Sequence, residues 1–139
     1  MSDPQANPPN PLDAIIIGAG IAGLYQLHRL RDELGLSVKV FEAGTDVGGT
    51  WYWNRYPGAR FDSESYSYGY SFSKEILQEW DWKEHFSPQP ETLRYVNFVA
   101  DKLDLRKDIQ FSTRVSGATF DDQTGCWEVK TETGELVRA

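Results

Sequence analysis

Leu12-Asp13-Ala14-Ile15-Ile16-Ile17-Gly18-Ala19-Gly20-Ile21-Ala22-Gly23 is the stretch whose reading decides the fold. The short β-branched run before Gly18 has the pattern of a strand buried on both faces, over residues 12–17. Gly18, Gly20 and Gly23 follow at the spacing G-x-G-x-x-G, and each has a separate physical task. Gly18 permits a tight turn, Gly20 lets the backbone approach a pyrophosphate, and Gly23 lets the next helix pack closely on the strand. Free N–H groups around Ile21 and Ala22 would then face phosphates at the positive end of the helix dipole. A glycine triplet alone is common. Here it follows a strand, opens a helix, and is followed 19 residues after Gly23 by an acid, Glu42.

Working outward, Ile21, Leu24, Tyr25, Leu27, Leu30 and Leu34 keep the period of a helix over 21–34, and Gly35 stops it. A second strand over 37–42 ends at Glu42. A carboxylate there can accept hydrogen bonds from both ribose hydroxyls of an adenosine half and repels a 2′-phosphate, which favours FAD or NAD over NADP. Upstream, residues 1–11 hold four of the seven prolines and read as a disordered lead-in. Downstream, no clean period survives between 43 and 90, and a connection this long is usually functional. Within the aromatic loop 43–72, Tyr66, Tyr68, Tyr70 and Phe72 alternate with smaller residues as an extended segment would. Helical spacing returns over 90–105, a short strand is expected at 108–111, and hairpin turns at 121–125 and 133–134 mark a β-meander over 113–139. The fold class is therefore α/β: a Rossmann-like, doubly wound dinucleotide-binding domain, incomplete, with a C-terminal antiparallel β-meander.

Composition limits the function. The chain has 139 residues, 40% of them hydrophobic, and a net charge of −7, which argues against a nucleic-acid or anionic-membrane partner. It has neither an 18-residue apolar run nor the order of a signal peptide. A single cysteine, Cys126, excludes an internal disulfide and suits a reducing, cytoplasmic setting. His28, placed on the polar side of the first helix, and His85 lack a second ligand at metal spacing, so no metal site is expected. Cys126 reads as a packed thiol. Lys102, Arg106 and Lys107 read as the basic complement of a helix end, and Asp121 and Asp122 as turn residues.

The remaining distinctive stretch is Gly48-Gly49-Thr50-Trp51-Tyr52-Trp53-Asn54-Arg55-Tyr56-Pro57-Gly58-Ala59-Arg60-Phe61-Asp62. Taken singly, its aromatics are best read as core. Two adjacent glycines, arginines and an acid in one loop are harder to explain by packing. This loop, with the upstream glycine turn and Glu42, resembles the amino-terminal part of Baeyer–Villiger monooxygenases, the flavoproteins typified by phenylacetone, cyclohexanone and steroid monooxygenases. The likeness runs from Asp13 to the end of the chain.

The resemblance implies tight binding of FAD, its reduction by NADPH, and insertion of oxygen beside a ketone carbonyl through a C4a-peroxyflavin, with O2 as oxidant and an ester or lactone as product. By position it implies that Gly18, Gly20, Ala22 and Gly23 line the FAD pyrophosphate and that Glu42 holds the ribose. Thr50, Trp51 and Trp53 lie along the flavin side, Tyr68 and Val115 contact FAD, and Arg60, Phe61 and Asp62 border the nicotinamide. Asp62 is the one catalytic candidate, a carboxylate that would orient an arginine in a dry site. A second glycine fingerprint for NADPH, the F-x-G-x-x-x-H-x-x-x-W fingerprint and that arginine are missing from the sequence. On this reading the chain is part of a longer enzyme and inactive by itself. The alternatives are a segment of an N- or S-oxidising flavin monooxygenase, or a non-catalytic FAD-binding module.

Overall fold

The computed structural model describes residues 10–139. The expected lead-in at 1–11 lies, but for its last two residues, outside the described residues.

The β-branched runs pair as a parallel sheet in the order β1 (Ala14–Ile17), β2 (Val38–Phe41), β3 (Ile109–Gln110). Ile16 stands opposite Val40, and Val40 opposite Ile109, so the sheet centre is aliphatic. Helix α1 (Ile21–His28) connects β1 to β2 and buries Gly23, Leu24 and Leu27. It continues as one π-helical turn, Arg29–Glu33, and stops before Gly35, whose φ of +67° suits glycine. Helix α5 (Gln89–Lys102) covers the sheet through Val96, Val99 and Ala100, which join Ile16, Leu24, Leu27 and Val40 in the core.

The meander forms a second sheet, β4 (Val115–Asp121), β5 (Cys126–Thr131) and β6 (Leu136–Arg138), antiparallel throughout. The two sheets are joined at one edge. The Leu12 N–H donates to the Arg138 carbonyl at 2.9 Å, and the Gln110 side-chain amide donates to Glu135 at 2.8 Å.

Three expectations need correction. Strand β1 is not buried on both faces: Ile16 is buried on one, whereas Ile17 on the other is 61% exposed. The stretch from Tyr66 is not extended at its start. Ser65–Tyr68 makes a helical turn, α3, closed by the Ser67 and Tyr68 N–H groups on the Glu64 carbonyl. Tyr70 and Phe72 still turn inward, against the aromatic edge of α1. His28 is not on an open polar face either. Its ring stacks on Phe72 at 4.8 Å, with Asp32 2.8 Å from Nδ1.

Two short helices lack a strong sequence period, α2 (Thr50–Trp53) and α4 (Lys74–Glu79). Helix α4 is capped by the Ser73 hydroxyl, which accepts from the Ile76 N–H. Around them the aromatics pack on one another. Phe61 stacks on Tyr68 with centroids 4.0 Å apart, and Trp82 and Trp80 pack against Tyr95.

Candidate dinucleotide-binding cleft

Strand β1 delivers the chain to the glycine turn, where two close approaches and one positive φ explain the glycines. A Cβ on Gly23 would lie 1.9 Å from the Gly18 carbonyl oxygen, so only glycine lets α1 sit this close to β1. A Cβ on Gly49 would lie 2.7 Å from the Gly20 Cα, so the turn and the start of α2 touch backbone to backbone. Gly18 has φ +100° and faces open space. The first N–H groups of α1, which opens directly after Gly20, lack intrahelical partners by construction.

Glu42 is buried, with 5% of its surface exposed. One carboxylate oxygen accepts from the Ala19 N–H at 2.7 Å and the other from the Gly44 N–H at 2.7 Å. The acid thus braces the glycine turn against the end of β2, and each oxygen retains a lone pair for a ligand hydroxyl. The Glu42 carbonyl in turn accepts from the Thr113 N–H at 2.9 Å, which draws the start of the meander to the same place.

These contacts surround a cleft with two connected lobes of about 350 and 410 Å3, sharing Gly18, Gly20, Gly49 and Thr50. The smaller lobe is walled by Ala22, Gly23, Trp51 and Tyr68, and the Trp51 indole N–H donates to the Tyr68 hydroxyl at 2.8 Å. The larger lobe is walled by Glu42, Trp53 and Val115. A backbone turn with no side chains, a helix N-terminus, a braced carboxylate and flat aromatic walls fit the pyrophosphate, ribose and rings of a dinucleotide.

The structure therefore gathers ten of the thirteen candidates at one cleft: Gly18, Gly20, Ala22, Gly23, Glu42, Thr50, Trp51, Trp53, Tyr68 and Val115. Arg60, Phe61 and Asp62 do not line it. Arg60 donates to the Phe86 carbonyl at 3.1 Å and pairs with Glu84 at 3.3 Å. Phe61 is buried one ring behind the cleft, against Tyr68. Asp62 is exposed rather than buried.

Sequence reasoning missed Ala43, Asn54, Thr113 and Arg114, which also line the larger lobe. Thr113 and Arg114 were within reach, because they directly precede Val115. It also missed Tyr70, whose hydroxyl donates to the Ile21 carbonyl and so fixes the first turn of α1. Burial pushes the Tyr70 phenol well above its ordinary range, which keeps that donor protonated. Among the described residues, no three His, Cys, Asp or Glu side chains could hold a metal ion, and no helix is long and apolar enough to cross a membrane.

The fold around the cleft is Rossmann-like, and residues 16–76 match the family of NAD(P)-binding Rossmann-like domains. Its homologues at about half identity include Baeyer–Villiger monooxygenases. It is 54% identical over 127 residues to a Baeyer–Villiger monooxygenase of Pseudooceanicola batsensis, a match covering 91% of this chain and 23% of that protein. It is 53% identical over 127 residues to the phenazine N-monooxygenase of Lysobacter antibioticus, covering 91% of this chain and 24% of that one. The solved structure of OTEMO in complex with FAD and NADP superimposes with a TM-score of 0.86 at 52% identity, covering 92% of this chain and 24% of its own. The chain thus spans about a quarter of the length of the relatives it matches.

Proposed function

We propose that the chain supplies the FAD-binding cleft of an NADPH-dependent Baeyer–Villiger-type monooxygenase that oxidises a ketone to an ester or lactone. The observation that carries this reading is the braced Glu42 beside the glycine turn, in a cleft whose other wall is the Gly48–Asn54 segment. Gly18, Gly20 and the N-terminus of α1 would hold the pyrophosphate, Glu42 the adenosine ribose, and Trp51, Trp53 and Tyr68 the ring faces. The bound flavin would supply the oxygen chemistry. The chain's own residues bind it, orient it and keep water from one side of it. Asp62 keeps the role the family likeness gives it, orienting an arginine from elsewhere in a longer protein, and its exposed position leaves it free to do so.

A second reading has one observation in its favour. A phenazine N-monooxygenase shares this segment nearly as closely as a Baeyer–Villiger enzyme does. The segment therefore specifies the cofactor rather than the atom oxidised, and product analysis with a ketone and with a heteroaromatic amine separates the two in the intact enzyme.

The cofactor reading is tested by titrating the chain with FAD and following quenching of flavin fluorescence, with NADP as competitor. Weak but saturable FAD binding, not displaced by NADP and lost in Glu42→Arg, is the expected result. Preferential binding of NADP, or FAD affinity unchanged in Glu42→Arg, would overturn the assignment.

A further inference from the structure

Helix α5 presents two stripes. The inner one is core. The outer one, Pro90, Leu93, Arg94, Asn97 and Phe98, recurs at i, i+3, i+4, i+7 and i+8 and floors an open groove of about 910 Å3. Arg55, from the start of the loop after α2, closes one side.

The charges in this groove are uneven. Lys102 is held by Glu79 at 2.7 Å, and Asp101 is held by Arg106. Arg94 and Arg55 have no carboxylate partner among the described residues. Arg55 donates to the Tyr52 carbonyl at 2.7 Å and lies over the Tyr52 ring. In a chain of net charge −7, two uncompensated guanidinium groups therefore share one apolar groove. The arginines discriminate by charge, and the apolar floor supplies the affinity.

We propose that the α5 groove is a docking surface for an acidic amphipathic helix of a partner protein, laid along α5 with its apolar face on Leu93 and Phe98 and its carboxylates on Arg55 and Arg94. The groove follows a helix of about 20 Å, and its openness suits a rod of side chains rather than an enclosed small molecule. It also abuts the back of the cleft. The Gln89 side chain donates to the Trp51 carbonyl, and Leu93 lies against Gly48. A bound helix would thus steady the loop that forms one cleft wall. This inference stands apart from which cofactor the cleft takes.

The test titrates the chain with a synthetic helix of about 18 residues, leucine on one face and glutamate flanking it, against a control with lysine for glutamate. Saturable binding of the acidic helix alone, weakened about tenfold or more in the Arg55→Glu, Arg94→Glu double variant, is expected. Both positions are exposed, so circular dichroism and the melting temperature should report an unchanged fold. Equal binding of both helices, no saturable binding, or an affinity indifferent to the charge reversal overturns the proposal. Self-association of the chain that the acidic helix does not compete away would assign the face to a second copy instead, and overturns it too.

Discussion

Glu42 has two tasks that separate at the level of a single residue. Its bonds to the Ala19 and Gly44 N–H groups belong to the fold and hold without any ligand. Glu42→Ala strands two donors at a buried position. It should destabilise the ligand-free chain by about 2–4 kcal/mol, read from urea unfolding by circular dichroism. Unchanged stability would show that the carboxylate braces nothing. Gly23→Ala makes a harsher demand, since its methyl would meet the Gly18 carbonyl oxygen at 1.9 Å. Helix α1 must lift from β1, and a loss of about 3 kcal/mol or more is expected in the same experiment. A mild effect at Gly23 would mean that the strand–helix contact yields more easily than its geometry suggests.

At the scale of elements, the strands, α1, α5 and the meander were legible because each carries its own period and stop signal. The clearest stop signals are Gly35 after α1 and the glycine turns at Gly125 and Gly134, each with a positive φ. Helices α2, α3 and α4 were not legible. They are four to six residues long, shorter than two turns, and tertiary contacts rather than period place them. The same limit explains the site. Residues tied to the glycine turn come together at one cleft, whereas Arg60, Phe61 and Asp62 lie outside its lining, because their place depends on how an aperiodic aromatic loop folds back. Arg31 shows another contact that sequence could not reveal. From the π-helical turn its guanidinium reaches the Leu103 and Asp104 carbonyls and Asp108, each at 2.8 Å, and so ties the end of α1 to the turn after α5. Arg31→Ala leaves these acceptors to water. A loss of about 2 kcal/mol is expected, scaled down for the part of the group that solvent already reaches. Arg31→Lys should recover only part, since one ammonium cannot span the same fork. Full rescue by lysine would reduce the tie to simple charge.

The whole molecule is two sheets held at one seam, and Glu135 sits in it. Its carboxylate accepts from the Gln110 amide at 2.8 Å and faces Lys39 at 3.3 Å, joining the meander to β2 and β3. The Gln110 hydrogen bond, with a smaller contribution from Lys39, holds the Glu135 carboxyl below its ordinary value of 4.5. A carboxylate depressed in the folded state adds stability that is complete above its unfolded pKa and is lost as pH falls through the folded one. Acidification below 4.5 should therefore loosen the seam. Asp13, whose carboxyl is lowered by its bonds to Ser37, and Asp121, lowered by Thr124 and Gln123, weaken in the same direction. The expected sign is faster amide exchange in β6 and in residues 113–115 as pH drops, after correction for intrinsic rates, while α1 and the centre of β2 stay protected. Because Val115 and Thr113 line the larger lobe, the cleft should open on that side before the core gives way. In Glu135→Gln the titrating group is gone. Exchange at neutral pH should rise modestly, and the acid-dependent part should shrink to what Asp13 and Asp121 contribute. Identical pH profiles for the two proteins would move the seam's strength to its backbone bond between Leu12 and Arg138.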